Sequence, residues 1–383
     1  MIHRQISSKI ASLSKQYPIV TVTGPRQSGK STLLRAEFPD YKYVSLEDPD
    51  MREFATSDPR GFLATYPDQT IIDEAERVPA LFSYLQTHVD AANKEGMYLL
   101  AGSRNFLLME GIDQSLAGRT AILKLLPFSR KELHDSGELP NTIDEQIFTG
   151  FYPRVYDKKI HPTDYYPSYI QTYVERDLRL ISNISDLNRF VRFLRLCAGR
   201  VGQILNKTSL ATECGCTMPT VEAWLSILEA SYICHRLEPN FNNHNKRIIK
   251  SPKLYFYDTG LVCNLLGITD AGQVATHYLR GSLFENLVVN QFVKDGFNRG
   301  ITPDLTFWRD SSGNEVDLIQ TKGTEQWAYE IKSGATFSQD FFKGLVKWAS
   351  LSSTPAERLS VIYGGVQRFE SSTGNVVPFP LTF

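Results

Sequence analysis

The sequence predicts a multidomain α/β protein, and three patterns along the chain support this fold class. Short β-branched runs alternate with helix-length segments near the start, which is typical of a parallel sheet covered by helices. A short helix, a glycine turn and a longer helix follow, the outline of a winged helix-turn-helix. Strand patterns then return as a further α/β unit. The predicted division is therefore residues 1–135, a helical connector at 136–199, the helix-turn-helix unit at 200–245, and residues 246–383.

The composition is that of an ordinary folded protein. Of 383 residues, 42% are hydrophobic and 22% are charged, which excludes a wholly disordered, collagen-like or coiled-coil chain. The formal net charge of -1 excludes a protein that coats nucleic acid by bulk positive charge, although a local basic patch is compatible with it. No secretory core or membrane-length apolar run is found, which predicts a cytoplasmic protein without a membrane partner. The five cysteines form no CxxC pair and are expected to be reduced.

The first unit opens with a strand, a loop and a helix. A β-branched run at 18–23 precedes a glycine-rich turn, and Leu33, Leu34 and Phe38 then have helical spacing. Further short strand patterns lie at 42–46, 69–72, 97–101 and 120–125. Strands separated by helix-length connections predict a parallel sheet.

The glycine-rich turn carries a complete phosphate-binding motif. Residues 24–31 match G-x-x-x-x-G-K-[ST] between the predicted strand and helix that this motif requires. Its glycines let backbone N–H groups point at a triphosphate, Lys30 reaches the β and γ phosphates, and the Ser31 hydroxyl holds Mg²⁺. The predicted cofactors are therefore ATP and Mg²⁺, and the nucleotide-binding residues are Gly24, Pro25, Arg26, Gln27, Ser28, Gly29, Lys30, Ser31 and Thr32.

Two adjacent carboxylates follow the predicted strand at 69–72. Asp73 is expected to support Mg²⁺, and Glu74 to act as the general base or to orient the attacking water. On their own, two acids could equally be a solvated loop or a helix start. Their position after a strand, in a chain with the phosphate-binding motif, favours the catalytic interpretation.

Polar residues further along the first unit provide further catalytic candidates. Ser103, with Asn105 as second choice, could hydrogen-bond the attacking water or the γ-phosphate, whereas a simple polar turn is the alternative. Arg119 could neutralise developing phosphoryl charge, on its own chain or on a neighbouring subunit, or form a surface ion pair.

The helix-turn-helix outline raises the question of a DNA partner. A helix at 219–232 could enter a major groove, but its predicted exposed residues Thr217, Thr220, Glu222 and Ser226 are not typical of base readout. Phosphate contacts could come from nearby basic residues, namely Arg195, Arg200, Lys207, Lys246, Arg247 and Lys250. A packing or protein-contact module is the alternative.

The last unit contains a D…ExK pattern. Glu330 and Lys332 are two residues apart, so both point to one face of a strand, and Asp317 lies on the preceding strand. Together with Glu285 on a helix, these residues predict a nuclease site in which Asp317 and Glu330 hold Mg²⁺ and Lys332 orients water or stabilises charge. As a bare pattern it is weak, because acids and lysines are common on solvated strands.

These motifs together resemble a prokaryotic group of AAA-type P-loop ATPases that carry a C-terminal domain of unknown function with a restriction-endonuclease-like end. The matching stretches are GPRQSGKSTLL, IIDEAERVP, LLAGSRNFLL, SLAGRT with LPFSRKEL, YVERD, KLYFYDTGL, GSLFENLVVNQF, and FWRD through GNEVDLI to YEIKSG. The resemblance implies ATP binding and hydrolysis, and it favours self-assembly, with Arg119 and Arg176 as candidates to reach a neighbour's nucleotide.

The resulting hypothesis is a Mg²⁺-dependent ATPase. Its nucleotide state controls a C-terminal module that binds nucleic acid or protein and has a nuclease-like site. The alternative is a nucleotide-dependent switch that does not hydrolyse ATP and whose nuclease-like domain is an inactive scaffold.

Overall fold

The structure is a computed structural model that describes residues 2–103, 112–174, 186–240 and 249–381. Four residues selected from the sequence lie outside the described residues: Asn105, Arg176, Lys246 and Arg247. Two β-sheets organise the part that is described, one of five strands and one of eight.

The N-terminal sheet is parallel throughout, with the strand order β2-β3-β4-β1-β5. Its strands are β1 Ile19–Thr23, β2 Lys42–Ser45, β3 Thr70–Asp73, β4 Tyr98–Gly102 and β5 Thr120–Lys124. The helices around it are α1 Ser7–Leu13, α2 Lys30–Glu37, α3 Pro49–Ser57, α4 Pro59–Thr65 and α5 Leu81–Ala92. The central strands β1 and β4 are buried at every residue, as expected for a sheet covered on both faces. The predicted parallel α/β sheet is confirmed.

The strand order brings the candidate residues to one edge of this sheet. β4 lies between β1 and β3, with Thr23 paired to Gly102 and Asp73 to Ala101. Because the three strands are parallel, the residues that follow them leave the same carboxyl edge. The phosphate-binding loop, Glu74 and Ser103 therefore lie side by side.

The middle of the chain is helical in its described parts. Its helices are α6 Arg130–Asp135, α7 Ile143–Thr149, α8 Pro153–Asp157, α9 Pro162–Tyr169, α10 Leu187–Ala198, α11 Lys207–Cys214 and α12 Met218–Ala230. α6 begins with a capping box, in which the Ser129 hydroxyl accepts from the Glu132 N–H and the Glu132 carboxylate accepts from the Ser129 N–H. Aromatic residues such as Tyr166 and Phe190 pack with C-terminal helices into one continuous hydrophobic core.

The C-terminal sheet is mixed, in the order β12-β13-β11-β10-β9-β8-β6-β7. Its strands are β6 Cys234–Pro239, β7 Lys253–Phe256, β8 Asp304–Arg309, β9 Glu315–Lys322, β10 Glu325–Lys332, β11 Leu359–Tyr363, β12 Phe369–Ser371 and β13 Gly374–Pro378. The helices of this part are α13 Thr259–Leu265, α14 Ala271–Thr276, α15 Arg280–Asn298 and α16 Lys343–Ser352. β6 pairs with β7 on one side and with β8 on the other, so the sheet runs across the boundary expected after residue 245.

The long helix α15 is joined to the N-terminal part by buried hydrogen bonds. Lys294 donates from Nζ to the Phe128 carbonyl oxygen at 2.8 Å. The Gln291 side-chain oxygen accepts from the Arg130 backbone N–H, also at 2.8 Å. A buried polar group that loses its partner costs about 1–3 kcal/mol. These bonds therefore fix α15 against the segment that follows β5.

Lys294 should make the stability of the protein depend on pH in the alkaline range. The side chain is fully buried and its ammonium faces the Phe151 ring at 4.2 Å. Burial lowers its pKa to about 8; Asp258 and Glu132 act to raise it, and Arg4 acts to lower it. Between pH 8 and 10.5 the unfolded chain holds a proton that the folded chain has lost. The free energy of unfolding should therefore rise with pH in this window, by up to about 3 kcal/mol.

The measurement is urea unfolding of wild type and Lys294→Met at several pH values from 7 to 10.5. We expect the free energy of unfolding of wild type to rise relative to that of Lys294→Met as the pH rises. Lys343→Met, which removes an exposed lysine, is the matched control and should follow wild type. Parallel pH profiles for wild type and Lys294→Met would contradict the prediction.

Candidate functional site

The phosphate-binding loop has a backbone that requires glycine at two positions. Gly24 has a φ of +155°, and a Cβ there would lie 2.1 Å from the Leu125 carbonyl oxygen. Gly29 has a φ of +92° and stands immediately before α2. Residues with a side chain rarely adopt such angles. The loop therefore curls in front of the positive N-terminal end of α2, a geometry suited to anions.

Lys30 is buried inside this loop. Its Nζ donates to the carbonyl oxygens of Gly24 and Pro25, each at 2.8 Å. Burial lowers the pKa of Lys30, while nearby carboxylates, Glu74 first, partly oppose this shift. The loop thus holds one ammonium group among its own carbonyls, where a phosphate group would be a stronger partner.

Ser31 and Asp73 meet across the edge of the sheet. The Ser31 hydroxyl donates to Asp73 Oδ2 at 2.7 Å, and the Tyr43 hydroxyl donates to the same oxygen at 2.8 Å. Burial, and then the bond to Asp73, raise the pKa of Tyr43 to about 12. Tyr43 was not selected from the sequence, because its proximity depends on β2 lying next to β3. The hydroxyl and carboxylate oxygens form a donor set that suits a hard cation such as Mg²⁺.

Glu74 and Ser103 are also brought together. Glu74 has a left-handed backbone, with φ 53° and ψ 43°, directly after β3. The Ser103 hydroxyl lies 3.2 Å from both Glu74 carboxylate oxygens, to which it can donate. The Ser103 backbone N–H donates to Glu76 Oε1 at 3.1 Å. The predicted pair thus shares one site, and the buried Glu76, which the sequence analysis did not select, holds the Ser103 backbone.

Arg4 is a further residue that sequence reasoning missed. It is 4% exposed and donates to the carbonyl oxygens of Ser28, at 2.8 Å, and Leu126, at 2.6 Å. Its Nε forms an ion pair with Glu132 at 3.1 Å, and its guanidinium lies 4.8 Å from the centre of the Phe128 ring. Arg4 therefore connects the phosphate-binding loop to the segment that contacts α15.

A cavity of about 900 Å³ opens beside the loop. Gln27, Gly29 and Thr32 line one side, and residues before β1 and around α8 line the others. Of the other predicted loop residues, Ser28 and Pro25 are buried and Arg26 is half-buried. The lining mixes apolar and charged side chains: Ile2, His3, Arg4, Leu33, Phe128, Ser136, Glu138, Pro153, Arg154, Tyr156, Asp157, Lys158 and Lys159.

Arg119 does not join this site. It stands immediately before β5, at the opposite edge of the parallel sheet, about 15 Å of strand away from the loop. Its guanidinium forms a two-bond ion pair with Asp90, at 2.6 and 2.8 Å. The proposed role at its own chain's nucleotide is therefore wrong, because the strand direction separates the two ends. A role on a neighbouring subunit stays a prediction.

The predicted nuclease residues divide into two groups. Glu285 and Asp317 contact the ammonium of Lys253, at 2.8 and 3.4 Å, whereas Glu330 pairs with Lys332. Lys253 was missed because it lies on β7, far from the D…ExK strands in sequence. Among the residues that the structure describes, no three or more His, Cys, Asp or Glu side chains are placed to hold a metal ion.

Burial dominates the electrostatics of this carboxylate cluster. It raises the pKa of Glu285 to about 7, against the opposing effect of Lys253. It raises the pKa of Glu330 to about 8, and the charge of Asp317 adds to this shift. For Lys253, burial acts to lower the pKa, but the surrounding carboxylates outweigh it and the pKa lies well above its usual value. The lysine is therefore charged at neutral pH.

The predicted helix-turn-helix unit contains α11, α12 and the strand β6. Arg236 on β6 pairs with Glu222 and Glu229 of α12, and Lys207 pairs with Glu222. Of the other predicted exposed residues, Thr217 and Ser226 are exposed and Thr220 is half-buried. Arg200 pairs with Glu213, whereas Arg195 and Lys250 are exposed. Three of the basic residues near α12, namely Arg200, Lys207 and Arg236, are thus neutralised within the chain.

Comparison with known families divides the chain into three matches. Residues 16–134 match the AAA domain family. Residues 140–272 and 280–382 match two domains of unknown function, DUF8612 and DUF4143. The match over residues 16–134 supports an AAA-type P-loop ATPase domain and nucleotide binding. None of the described helices combines the length and the hydropathy that a membrane span requires.

Two curated relatives match nearly the whole chain. The uncharacterized proteins Mb2031c of Mycobacterium bovis and Rv2008c of Mycobacterium tuberculosis are each 28% identical over 377 residues, 96% of this chain and 81% of the relative. Among solved structures, the Walker-type ATPase PABY2304 of Pyrococcus abyssi is 15% identical, with a TM-score of 0.45 over 69% of this chain and 96% of that one. AMPPCP-bound DnaA of Aquifex aeolicus is 14% identical, with a TM-score of 0.30 over 58% and 85%.

Proposed function

We propose that the chain hydrolyses ATP at the carboxyl edge of its N-terminal sheet. One observation carries the proposal: the loop lysine, the Ser31–Asp73 pair and the Glu74–Ser103 pair meet there, although they come from three separate stretches of sequence. A phosphoryl-transfer site needs a cationic cradle, a cation ligand set and a group that orients water. This edge supplies all three.

Each side chain has a separate role in this proposal. Lys30 neutralises the β and γ phosphates, and the loop N–H groups bind their oxygens. Ser31 and Asp73 would hold Mg²⁺, which would shield the phosphate charges. Glu74 orients the attacking water and accepts its proton. Ser103 donates to Glu74 and keeps the carboxylate directed at that water.

The cavity beside the loop would receive the nucleoside. Its volume of about 900 Å³ lies within the roughly 300–1,000 Å³ typical of ligand pockets. It is continuous with the loop through Gln27, Gly29 and Thr32, and its lining includes the aromatic residues Tyr156 and Phe128. A triphosphate in the loop would thus have its base between the N-terminal segment and α8.

The nucleotide state would be transmitted to the C-terminal half through Arg4 and Phe128. Arg4 binds the Ser28 carbonyl inside the loop and also stacks on Phe128, whose own carbonyl accepts from Lys294 of α15. A change in the loop on loss of the γ-phosphate therefore has a path of direct contacts to α15. This path supports control of the C-terminal module by ATP.

For the partner of that module, we favour protein over base-specific DNA recognition. The face of α12 that would enter a groove carries Glu222 and Glu229, and these acids already neutralise Lys207 and Arg236. DNA phosphates would be repelled by these acids. They would also have to compete with the acids for basic side chains that already form ion pairs. Self-assembly, with Arg119 acting on a neighbouring copy, belongs to the same proposal.

Phosphate release by the purified chain with Mg²⁺ tests this function, with Lys30→Met as the blank. We expect Lys30-dependent turnover that added double-stranded or single-stranded DNA changes by less than about two-fold, since the described α12 face lacks free cations. Salt is held constant across all samples. Strong stimulation by DNA would contradict the preference for a protein partner while leaving ATP hydrolysis intact.

A further inference from the structure

The carboxylate cluster of the C-terminal part surrounds a lysine. Lys253 lies on the edge strand β7 and its side chain is 3% exposed, so water does not shield its charge. Its Nζ contacts Glu285 of α15 at 2.8 Å, Asp317 of β9 at 3.4 Å, and Glu315, also of β9. Three acids from two elements thus face a single ammonium group.

We propose that the Lys253 ammonium replaces the metal ion of a nuclease-like site, so that the cluster is closed and does not bind divalent cations. The D…ExK pattern implies a metal between Asp317 and Glu330, and the donor set in the structure does not fit one. This inference concerns the C-terminal domain alone and does not depend on ATP hydrolysis.

Ion pairs with Lys253 already use oxygens of Glu285, Glu315 and Asp317, whereas Glu330 Oε2 is buried without a hydrogen-bond partner among the described residues. A lysine has three N–H donors and here faces three carboxylates. The second oxygen of Asp317 accepts from the Ile331 backbone N–H at 2.8 Å. Mg²⁺ requires about six oxygen ligands and usually keeps several waters. With the three carboxylates around Lys253 engaged by its ammonium, the open oxygen of Glu330 alone does not meet that demand.

Charge also excludes a second cation from this position. A metal bound by Glu285 and Asp317 would lie within a few ångströms of the Lys253 ammonium, in surroundings of low dielectric. The other half of the pattern is neutralised in the same way, because Lys332 forms an ion pair with Glu330. Each lysine therefore pairs with an acid of the pattern, Lys253 in a buried position and Lys332 in a partly exposed one.

Such a closed cluster still has a structural consequence. It ties β7, β9 and α15 together at one point, and the Tyr255 hydroxyl, also on β7, donates to Glu285 at 2.5 Å. Removal of the lysine would leave buried carboxylates without their counter-ion, which is costly unless another cation enters. The cluster should therefore gain affinity for a metal when Lys253 is lost.

The test is Mn²⁺ binding, measured by calorimetry and thermal unfolding without nucleotide. All proteins carry Asp73→Asn, which removes the carboxylate of the N-terminal cation site. We expect no saturable binding to this parent up to about 1 mM Mn²⁺. Lys253→Met in the same background should bind one Mn²⁺, which should raise its unfolding midpoint by at least about 3 °C.

Two controls make the outcome specific. Lys250→Met removes an exposed lysine three residues away and should leave the parent without Mn²⁺ binding. Addition of Glu285→Gln to Lys253→Met should abolish the gained site. The proposal is overturned if the parent binds Mn²⁺ in a manner that depends on Glu285 or on Glu330, or if a folded Lys253→Met protein gains no site. The parent titration decides the matter even if Lys253→Met does not fold.

Discussion

Replacing Lys30 with methionine is expected to lower ATP turnover by at least about 10²-fold and to abolish detectable nucleotide binding. The substitution keeps the length of the buried side chain but removes the one ammonium group that the loop encloses between the carbonyls of Gly24 and Pro25. Loss of a single preorganised electrostatic contact commonly costs 10²–10³ in rate. Phosphate release and fluorescent-nucleotide binding measure the two effects.

Lys15→Met is the matched control, since Lys15 is an exposed lysine of the same domain. It should hydrolyse ATP as wild type does. If Lys30→Met retained wild-type turnover, the activity would come from another site or from a contaminant. If wild type released no more phosphate than Lys30→Met while still binding ATP, the chain would be a switch that does not hydrolyse nucleotide.

Glu74→Gln is expected to reduce turnover by about 10²–10⁴-fold and to leave ATP affinity within about three-fold of wild type. Glutamine preserves the shape of the side chain and can still hydrogen-bond Ser103, but it cannot accept a proton from water. Lys30, Ser31 and Asp73 are untouched, so the groups assigned to binding remain. Single-turnover phosphate release and equilibrium binding separate the two quantities.

Glu53→Gln, an exposed glutamate on α3, is the control and should behave as wild type. Equal turnover by Glu74→Gln and wild type would assign the water-orienting role to another residue. Because Glu74→Gln should hold ATP without cleaving it, the same variant tests the coupling to α15. Amide exchange in α15 should differ between the ATP and ADP complexes; identical exchange would refute control of the C-terminal half through Phe128.

The parts of the site that could be predicted from the sequence are those set by local chemistry. The loop motif is contiguous in sequence, and its backbone geometry requires glycine at two positions. The motif alone therefore locates Lys30 and Ser31. Asp73 ends a short buried strand and Glu74 follows it, which places both at a sheet edge before the strand order is known. Their contact with Ser31 and Ser103 then follows from β4 lying between β1 and β3.

The residues that escaped prediction depend on contacts between distant parts of the chain. Tyr43 reaches Asp73 only because β2 is next to β3, and Arg4 reaches Glu132 across 128 positions. Lys253 enters the carboxylate cluster because β7 joins the C-terminal sheet through β6. Periodicity and motif spacing contain no information on such pairings. The position of Arg119 is a different case, because the predicted parallel sheet with a strand at 120–125 already places a residue before that strand at the amino edge.

Phe128 contacts both Arg4 and Lys294. Any coupling between the nucleotide site and the C-terminal half through this residue must be reciprocal. If bound ATP raises the affinity of the C-terminal half for its partner by some factor, the bound partner must raise the affinity for ATP by the same factor. A tight partner would then keep ATP bound at concentrations that leave the free protein empty. The abundance of that partner, as much as the supply of ATP, would decide how often the site is filled.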